Sequence, residues 1–539
     1  MLNEETSPRR ELVLFLLLVA LAIATRIVLF ERVVVVAKDA VGFLEMARAF
    51  AAGRVGVFLA HAQHPFYPFL VVVAHLAVPG WIVAGQVVSL TMSVAALVPL
   101  YLLVRRIFGV RTALAAGLLF VFLPRFARPS ADVLTEPTYV FLCLAALAAG
   151  FRAAADGDAA AAALLGLFSG LAYLTRPEGG VVFIIGASAI AVAGLPHWRG
   201  RVVAKAICLL MSAVIFAAAA GPYLVFLRCD TGRWTLSKKK SLAALVMSET
   251  AMNLALQPEN GRPDVESLPA APRDGREPTD ADSVVVRLRG DLPVAALFVL
   301  SQVTQAVHPL LFLLAVVGAI WEGRRRAGEL YFVAVIVISV ALAFLLACRI
   351  GYVSSRHLIL VGALALPWAA RGIDVATKAL TGLPSRSPGT PARRATVFGM
   401  ILAACVVVLS FQAFKLQRHE TSGYREAGRR ILETFGPGKR FLYFRDGRAA
   451  LYAQGTADDL ALSDVRSLDA LLRRAQDGSY EFLIVDLDEF DKCIPDFANS
   501  VPNYALEPVV RERKDPGASE ERIVIYRFPR PPVPADAGH

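Results

Sequence analysis

The chain has 539 residues, 56% of them hydrophobic, and a formal net charge of +11. Soluble globular proteins are about 45–50% apolar. Here the excess lies in long apolar blocks, which excludes a soluble fold for most of the chain. The basic residues lie in short loops between these blocks, as expected of a protein oriented in a membrane, and we expect no nucleic-acid partner.

Eleven apolar segments are predicted to cross the membrane, because each reaches or approaches the length of about 20 residues that spans the hydrocarbon core. In chain order they are residues 12–30, 81–104, 112–123, 137–151, 159–174, 179–195, 202–227, 294–320, 330–347, 357–369 and 397–414. Placing the N-terminus in the cytoplasm puts every short basic loop on the cytoplasmic side. The expected fold is a mainly α, polytopic membrane protein of about eleven transmembrane helices.

On this topology, four regions face the extracytoplasmic side: residues 31–80, 124–136, 228–292 and the tail from residue 415. Within the third region, residues 257–282 have no apolar period and are rich in Pro, Glu, Asp and Arg. We therefore predict a mobile outer loop within residues 228–292.

The tail has a different pattern, in which helical spacing at residues 425–435 is followed by strand-like segments at 440–444, 480–485 and 522–528. This pattern predicts a small extracytoplasmic α/β domain over residues 415–539. The preceding residues 1–414 then form the transmembrane domain.

Two of the six cysteines, Cys229 and Cys493, fall in regions predicted to lie outside the cytoplasm. A disulfide between them is one possibility, which spacing alone does not establish. Neither a Cys-x-x-Cys pair nor a zinc-binding spacing occurs in the sequence, so no metal site is predicted from the cysteines.

Asp39 opens an amphipathic helix directly after the first span. Phe43, Met46, Ala47 and Phe50 share one face of this helix, which would rest on the membrane surface. The Asp39 side chain either caps the helix or acts as a general base at the interface, where a lowered dielectric raises the pKa of a carboxyl group. The pattern alone leaves both interpretations open.

The outer loops contain two further candidate side chains, His64 and Glu136. His64 begins the sequence His-Pro-Phe-Tyr-Pro at residues 64–68, a rigid turn in which it is either a boundary residue or a ligand. Glu136 precedes Pro137 at the start of the fourth span. Its negative charge either stabilises the N-terminus of the helix that begins there or provides a second carboxylate in the same cavity as Asp39.

Three charged residues lie at the outer ends of later spans: Arg176 and Glu178 between two short spans, and Arg356 before the tenth. A charge at the centre of a membrane helix costs about 2.5–3.5 kcal/mol, so these groups should be paired or in a wet cavity. The arginines serve either as structural ion-pair partners or as phosphate ligands.

The order of these motifs resembles the GT-C glycosyltransferases of the protein O-mannosyltransferase and aminoarabinose-transferase type, and in particular a bacterial branch. The shared features are Asp-x-x-x-Phe-x-x-x-Ala from Asp39, His-Pro with aromatics, Thr-Glu-Pro and Leu-Thr-Arg-Pro-Glu-Gly, within residues 11–371. The chain departs from the family at Ala40, where a second acid often stands, and at Phe66, which replaces a proline. The Trp-Trp-Asp-Tyr-Gly motif of oligosaccharyltransferases is absent from the sequence.

The resemblance implies a glycosyltransferase of a bacterial inner membrane that moves a sugar from a polyprenyl-phosphate donor to a hydroxyl of a glycan, lipid or protein acceptor. Asp39 would then be the general base of an inverting displacement, and Glu136 would orient the acceptor or donor. The donor phosphate and sugar would be bound by Lys38, His64, Arg176, Glu178 and Arg356. Relatives usually work without a tightly bound metal, so no cofactor is expected, although a divalent cation stays open.

Two other functions fit the same sequence. A transporter or flippase for lipid-linked sugars explains the spans and the polar membrane residues, but the sequence has no internal repeat of the kind that many transporters contain. A non-catalytic assembly or sensor protein would use the tail to bind a partner. The identities of the sugar and the acceptor do not follow from the sequence.

Overall fold

The computed structural model describes residues 7–192, 202–238, 292–321, 327–350, 353–382, 391–460, 468–490, 497, 501 and 506–528. The loop predicted to be mobile around residues 257–282 lies outside these ranges, and so does Cys493. The predicted pairing of Cys229 with Cys493 therefore stays a prediction.

The first part of the chain is helical. Its helices are α1 (Pro8–Phe30), α2 (Ala40–Ala51), α3 (Val55–Ala60), α4 (Phe66–His75), α5 (Trp81–Ala95), α6 (Leu97–Phe108), α7 (Val110–Phe122), α8 (Pro124–Ala127), α9 (Glu136–Asp156), α10 (Ala159–Thr175), α11 (Gly179–Val192), α12 (Val202–Thr231), α13 (Leu292–Val307), α14 (Pro309–Ile320), α15 (Ala327–Ile350), α16 (Ile359–Gly382) and α17 (Pro391–Ala413).

Local sequence explains where these helices begin and end. The Ser7 side chain accepts a hydrogen bond from the Arg10 amide at the start of α1, and a proline occupies the first helical position. Helix α9 ends at Gly157, whose φ of 70° is in the left-handed region that glycine adopts without steric cost. Such ends place charged and polar groups outside the apolar spans.

The predicted polytopic membrane fold is confirmed. In the described chain, with α5 and α6 counted together as Trp81–Phe108, seven helices are long and apolar enough to cross a membrane, or nine if two bent helix pairs each form one span. Helices α10 and α11, with 17 and 14 residues, coincide with the other two predicted spans. Each of the eleven predicted segments thus corresponds to a helix or a helix pair.

One predicted span, residues 294–320, is bent where a continuous helix was expected, and a second bend follows the predicted span at residues 112–123. Helices α13 and α14 meet at an angle of 98°, and α7 makes an angle of 64° with Pro124–Ala131. Between α13 and α14, His308 has a φ of 77°. The residue before a proline is disfavoured in the α region, so Pro309 accounts for the break. Both bends direct polar side chains toward the same cavity, described below.

The tail forms a small α/β domain, as predicted. Its strands are β1 (Arg440–Tyr443), β2 (Thr456–Asp459), β3 (Phe482–Asp486), β4 (Glu507–Arg513) and β5 (Glu521–Arg527), in the sheet order β2-β1-β3-β5-β4. Its helices are α18 (Gly423–Phe435), α19 (Arg448–Tyr452), α20 (Leu468–Asp477) and α21 (Leu487–Phe490). Strands β2 and β4 were not predicted, because one is short and polar and the other alternates charges with a proline.

Helix α2 is covered by protein on its apolar face. Phe43, Met46 and Ala47 are all buried, and the Phe43 ring meets the ring of Tyr67 from α4 edge-on. Part of this face shares a hydrophobic core with one side of the five-stranded sheet. The predicted amphipathic helix is therefore present, but its apolar face rests on α4 and the C-terminal domain instead of the membrane surface.

Glu45 of α2 lies at this contact and gives it a pH dependence. Burial, followed by the neighbouring Asp458 carboxylate, raises the pKa of Glu45 from 4.5 to about 8. A raised folded-state pKa stabilises the folded chain fully below the ordinary value, and this stabilisation is lost as pH rises through about 8. The contact between α2 and the C-terminal domain should therefore weaken as pH rises from about 4.5 to about 8.

We expect Glu45→Gln to remove this pH dependence, because the amide resembles the protonated acid. The wild type should lose roughly 2–5 kcal/mol of stability as pH rises from about 4.5 to about 8, whereas the variant should lose much less. Thermal unfolding in detergent at several pH values measures the difference. Parallel pH profiles of the two proteins would contradict the assignment.

Candidate active site

A cavity of about 800 Å³ lies where α2, α8, α9, the bend between α13 and α14, and the loop before α16 meet the start of the tail. Charged side chains dominate its polar wall. These are Lys38, Asp39, Arg125, Arg128, Glu136, Arg356, Arg418 and Glu420. The cavity thus combines two carboxylates from the predicted site with several cations.

Asp39 precedes the first residue of α2, but its side chain makes no capping hydrogen bond to the helix. Instead, Arg356 Nη2 donates to Asp39 Oδ2 at 2.8 Å. The Asp39 side chain is 40% exposed and lines the cavity. Of the two interpretations left open by the sequence, the geometry therefore favours a carboxylate available to a bound molecule.

Glu136 is the first residue of α9 and is 1% exposed. One of its carboxylate oxygens accepts a hydrogen bond from Arg356 Nε, and the same oxygen lies 3.5 Å from Arg176 Nη1. Burying a carboxylate is costly unless it is paired, so the two arginines account for its place here. Glu136 is also at a helix N-terminus, where negative charge is favourable.

Arg356 bridges the two carboxylates, Asp39 and Glu136. Burial alone would lower the pKa of the guanidinium group, but the charges of Glu136 and Asp39 raise the pKa above its ordinary value. The side chain is therefore cationic and holds the two carboxylates through two nitrogens, Nε and Nη2, of one planar group. This arrangement fixes the orientation of Asp39 toward the cavity.

The other predicted residues occupy different positions. Lys38 lines the cavity, with its side chain 59% exposed, and its ammonium group lies 3.5 Å from Asp446. Arg176 lies behind Glu136 and pairs with Glu178, with 3.5 Å between Nη2 and Oε1. Arg176 and Glu178 form one ionic network with Glu136 and Arg356, but they do not line the cavity wall.

His64 does not join this group. It is 1% exposed, its Nδ1 lies 2.7 Å from the Tyr173 carbonyl, and its ring packs against the rings of Tyr173 and Tyr223. The following Tyr67 is also buried and donates to the Gly85 carbonyl at 3.0 Å. The His-Pro-Phe-Tyr-Pro segment therefore joins α4 to its neighbouring helices and is not part of the cavity wall.

Arg125 and Arg128 are cavity residues that the sequence analysis did not select. Arg125 donates to Ser355 Oγ, and neither arginine forms an ion pair with a carboxylate in the described part of the chain. Their spacing of three residues on a short helix was a visible signal for a shared face. The bend after α7 turns this face toward Asp39, and the sequence did not predict it.

Within the described ranges, no group of three or more His, Cys, Asp or Glu residues could hold a metal ion. The predicted independence from a metal stays a prediction. The side chains present can accept a proton at Asp39 and neutralise an anion with arginines and a lysine. This combination, on a polytopic membrane fold, is typical of a transferase acting on an anionic, membrane-bound molecule.

Comparison with known proteins supports this class. The family described as dolichyl-phosphate-mannose-protein mannosyltransferase (PMT_2) matches residues 63–248. The structure of ArnT from Cupriavidus metallidurans in the apo state aligns with a TM-score of 0.58 at 12% identity, covering 95% of this chain and 97% of that one. The same protein bound to undecaprenyl phosphate aligns with a TM-score of 0.56 at 13% identity and the same coverage.

These similarities agree with the predicted resemblance to the GT-C glycosyltransferases: the family model matches part of the chain by sequence, and ArnT shares its fold. A comparison with curated protein sequences finds no significant match.

Proposed function

We propose that the protein transfers a sugar from a polyprenyl-phosphate donor to an acceptor hydroxyl, with Asp39 as the general base. The observation that carries this proposal is the Asp39 carboxylate, which faces a cationic cavity and is oriented by Arg356 instead of capping its helix. A general base must reach the proton that it removes, and Asp39 is exposed to the cavity from which an acceptor would approach.

The proposed reaction is a single inverting displacement. Asp39 takes the proton of the acceptor hydroxyl as the acceptor oxygen attacks the anomeric carbon. The bond from that carbon to the phosphate oxygen breaks on the opposite face, and the lipid phosphate leaves with the electron pair. Cations placed where this negative charge develops lower the barrier. Glu136 acts through Arg356, which it holds in the orientation that Asp39 requires.

The leaving phosphate is stabilised best by cations that do not already pair with carboxylates of the protein. Arg125 and Arg128 line the cavity and form no ion pair in the part of the chain that the structure describes, whereas Lys38, which also lines it, lies 3.5 Å from Asp446. Arginine presents a planar fork that matches phosphate oxygens. We therefore place the donor phosphate near Arg125 and Arg128, and assign His64, Arg176 and Glu178 supporting positions around the site.

We expect Arg128→Gln to weaken binding of the donor. Hydrogen bonds to charged groups contribute about 1.5–3 kcal/mol, so the KM for the donor should rise roughly 10- to 100-fold. Arg429→Gln is the matched control, because Arg429 is an exposed arginine on α18. An unchanged donor KM in Arg128→Gln would place the phosphate elsewhere.

The fold similarity supports a lipid-phosphate donor, since ArnT was solved with undecaprenyl phosphate bound. The cellular location that we propose is the inner membrane of a bacterium. The N-terminus would lie in the cytoplasm, and the active site and C-terminal domain would lie on the outer face, as the basic loops favour. The acceptor would be a glycan, a lipid or a protein reached through the open side of the cavity.

The proposal is tested with purified protein in nanodiscs and radiolabelled polyprenyl-phosphate sugars. The expected result is label that leaves the lipid as free sugar or as a covalent acceptor product. A transporter would instead move intact lipid-linked sugar across a sealed vesicle without cleaving it. Movement of intact donor without release of sugar, across a panel of donors and acceptors, would overturn the proposal.

A further inference from the structure

The segment that carries Asp39 is held by the C-terminal domain. Residues 33–37, which we call the linker, connect α1 to Asp39. The Val34 amide donates to the Gln417 carbonyl at 3.2 Å, and the Val36 amide donates to the Tyr452 hydroxyl at 3.0 Å. The amides of two alternate linker residues thus have partners that lie about four hundred residues further along the chain.

The linker carbonyls have partners in the same domain. Arg418 Nη1 donates to the Val35 carbonyl at 2.9 Å, and Arg448 Nη1 donates to the Val36 carbonyl at 3.4 Å. Arg418 also pairs with Asp132, at 2.5 Å. Asp132 in turn accepts from the amide of Ala37, the last linker residue, at 3.1 Å. The chain is therefore fixed up to two residues before Asp39.

Burying the charged Arg448 side chain, which is only 1% exposed, costs free energy unless the charge is paired. Arg448 donates through two nitrogens to Asp446, at 2.8 and 2.7 Å, and Asp446 also lies 3.5 Å from the Lys38 ammonium group. A buried ion pair is weak support for stability but can specify geometry. Here the pair contacts the chain at two positions just before Asp39, the Val36 carbonyl and the Lys38 ammonium group.

We infer that the C-terminal domain positions the catalytic base, with Arg448 and Tyr452 as positioning residues that act on Asp39 through the linker. This inference rests on the proposed role of Asp39. It assigns the domain a part in the chemical step, beyond the control of acceptor access. In the membrane domain, Arg356 donates a hydrogen bond to Asp39. The orientation of Asp39 therefore depends on contacts with two separate parts of the chain.

Tyr452→Phe tests this inference with a minimal change, because it removes one hydroxyl and leaves the ring. We expect faster amide hydrogen exchange in residues 33–37 and a kcat reduced by roughly 10- to 100-fold at an unchanged donor KM, since small misplacements of a catalytic group are costly. Arg448→Met should act in the same direction. Tyr480→Phe is the control, because its hydroxyl bonds Asp458 within the same domain, on the other side of the sheet.

A positioning role and a merely structural role of Tyr452 are distinguished by a double substitution, by the melting temperature and by hydrogen exchange. If Tyr452 acts through Asp39, Tyr452→Phe should add no further loss to Asp39→Asn, whereas a merely structural residue would lower the melting temperature and impair both backgrounds. Unchanged exchange in residues 33–37, or faster exchange with full kcat, would overturn the inference. Hydrogen exchange is measured without donor. It therefore shows whether the C-terminal domain holds the linker, even in a preparation whose wild type transfers no sugar.

Discussion

Replacing Asp39 with Asn is expected to lower the rate of sugar transfer by about 10²–10⁴-fold, the range that general-base catalysis contributes. Asn keeps an oxygen that accepts from Arg356 Nη2, so the contact at 2.8 Å and the fold around it should persist. What is lost is the ability to take a proton from the acceptor hydroxyl. Single-turnover transfer in nanodiscs, together with donor binding measured separately, gives the result.

Asp156→Asn is the matched control for this experiment. The Asp156 side chain is 42% exposed and pairs with Arg106 at 2.5 Å, so it resembles Asp39 in exposure and in its arginine partner. It lies at the end of α9, away from the cavity. We expect wild-type transfer from this variant. Full turnover by Asp39→Asn would remove Asp39 from the mechanism.

Arg356→Met is expected to cause the largest combined loss, of stability and of activity. Removing one partner of a buried ion pair costs about 3–5 kcal/mol, and Glu136, which is 1% exposed, would keep only the more distant Arg176. Asp39 would also lose its orienting contact. Thermal unfolding and transfer per folded molecule measure the two effects separately.

A second substitution separates these effects further. Glu136→Gln in the Arg356→Met background removes the buried charge, so it should restore much of the stability but none of the transfer. Arg371→Met is the control, because Arg371 makes two hydrogen bonds of 2.9 Å to the buried Glu329 at another place in the membrane domain. It should lose stability and keep transfer per folded molecule. Normal transfer by folded Arg356→Met would contradict the proposed bridge.

Much of the fold could be predicted because its signals are local. Each membrane span is an apolar run long enough to cross the hydrocarbon, and the strands β1, β3 and β5 are apolar segments of the tail. The break within residues 294–320 was missed because hydropathy does not register a change of helix direction. Pro309 was the available signal for the bend at His308.

The site was predicted only in part. Asp39, Glu136 and Arg356 come together in the structure, and each belongs to a motif that the sequence analysis had selected. His64 had an equally suggestive motif, but its ring fills a buried position between Tyr173 and Tyr223. A single motif does not reveal which way its side chain faces, because that depends on helices elsewhere in the chain.

The sequence by itself determined that the chain is a polytopic membrane protein with a small α/β domain, and it identified Asp39 as a candidate base. These conclusions follow from hydropathy, charge and residue order, which are properties of short segments. Only the tertiary structure decided that Asp39 is bonded to Arg356, 317 residues away, and that Arg125 and Arg128 face the cavity. It also decided that the C-terminal domain holds the linker. Contacts across such separations depend on how the helices pack, so no local pattern encodes them.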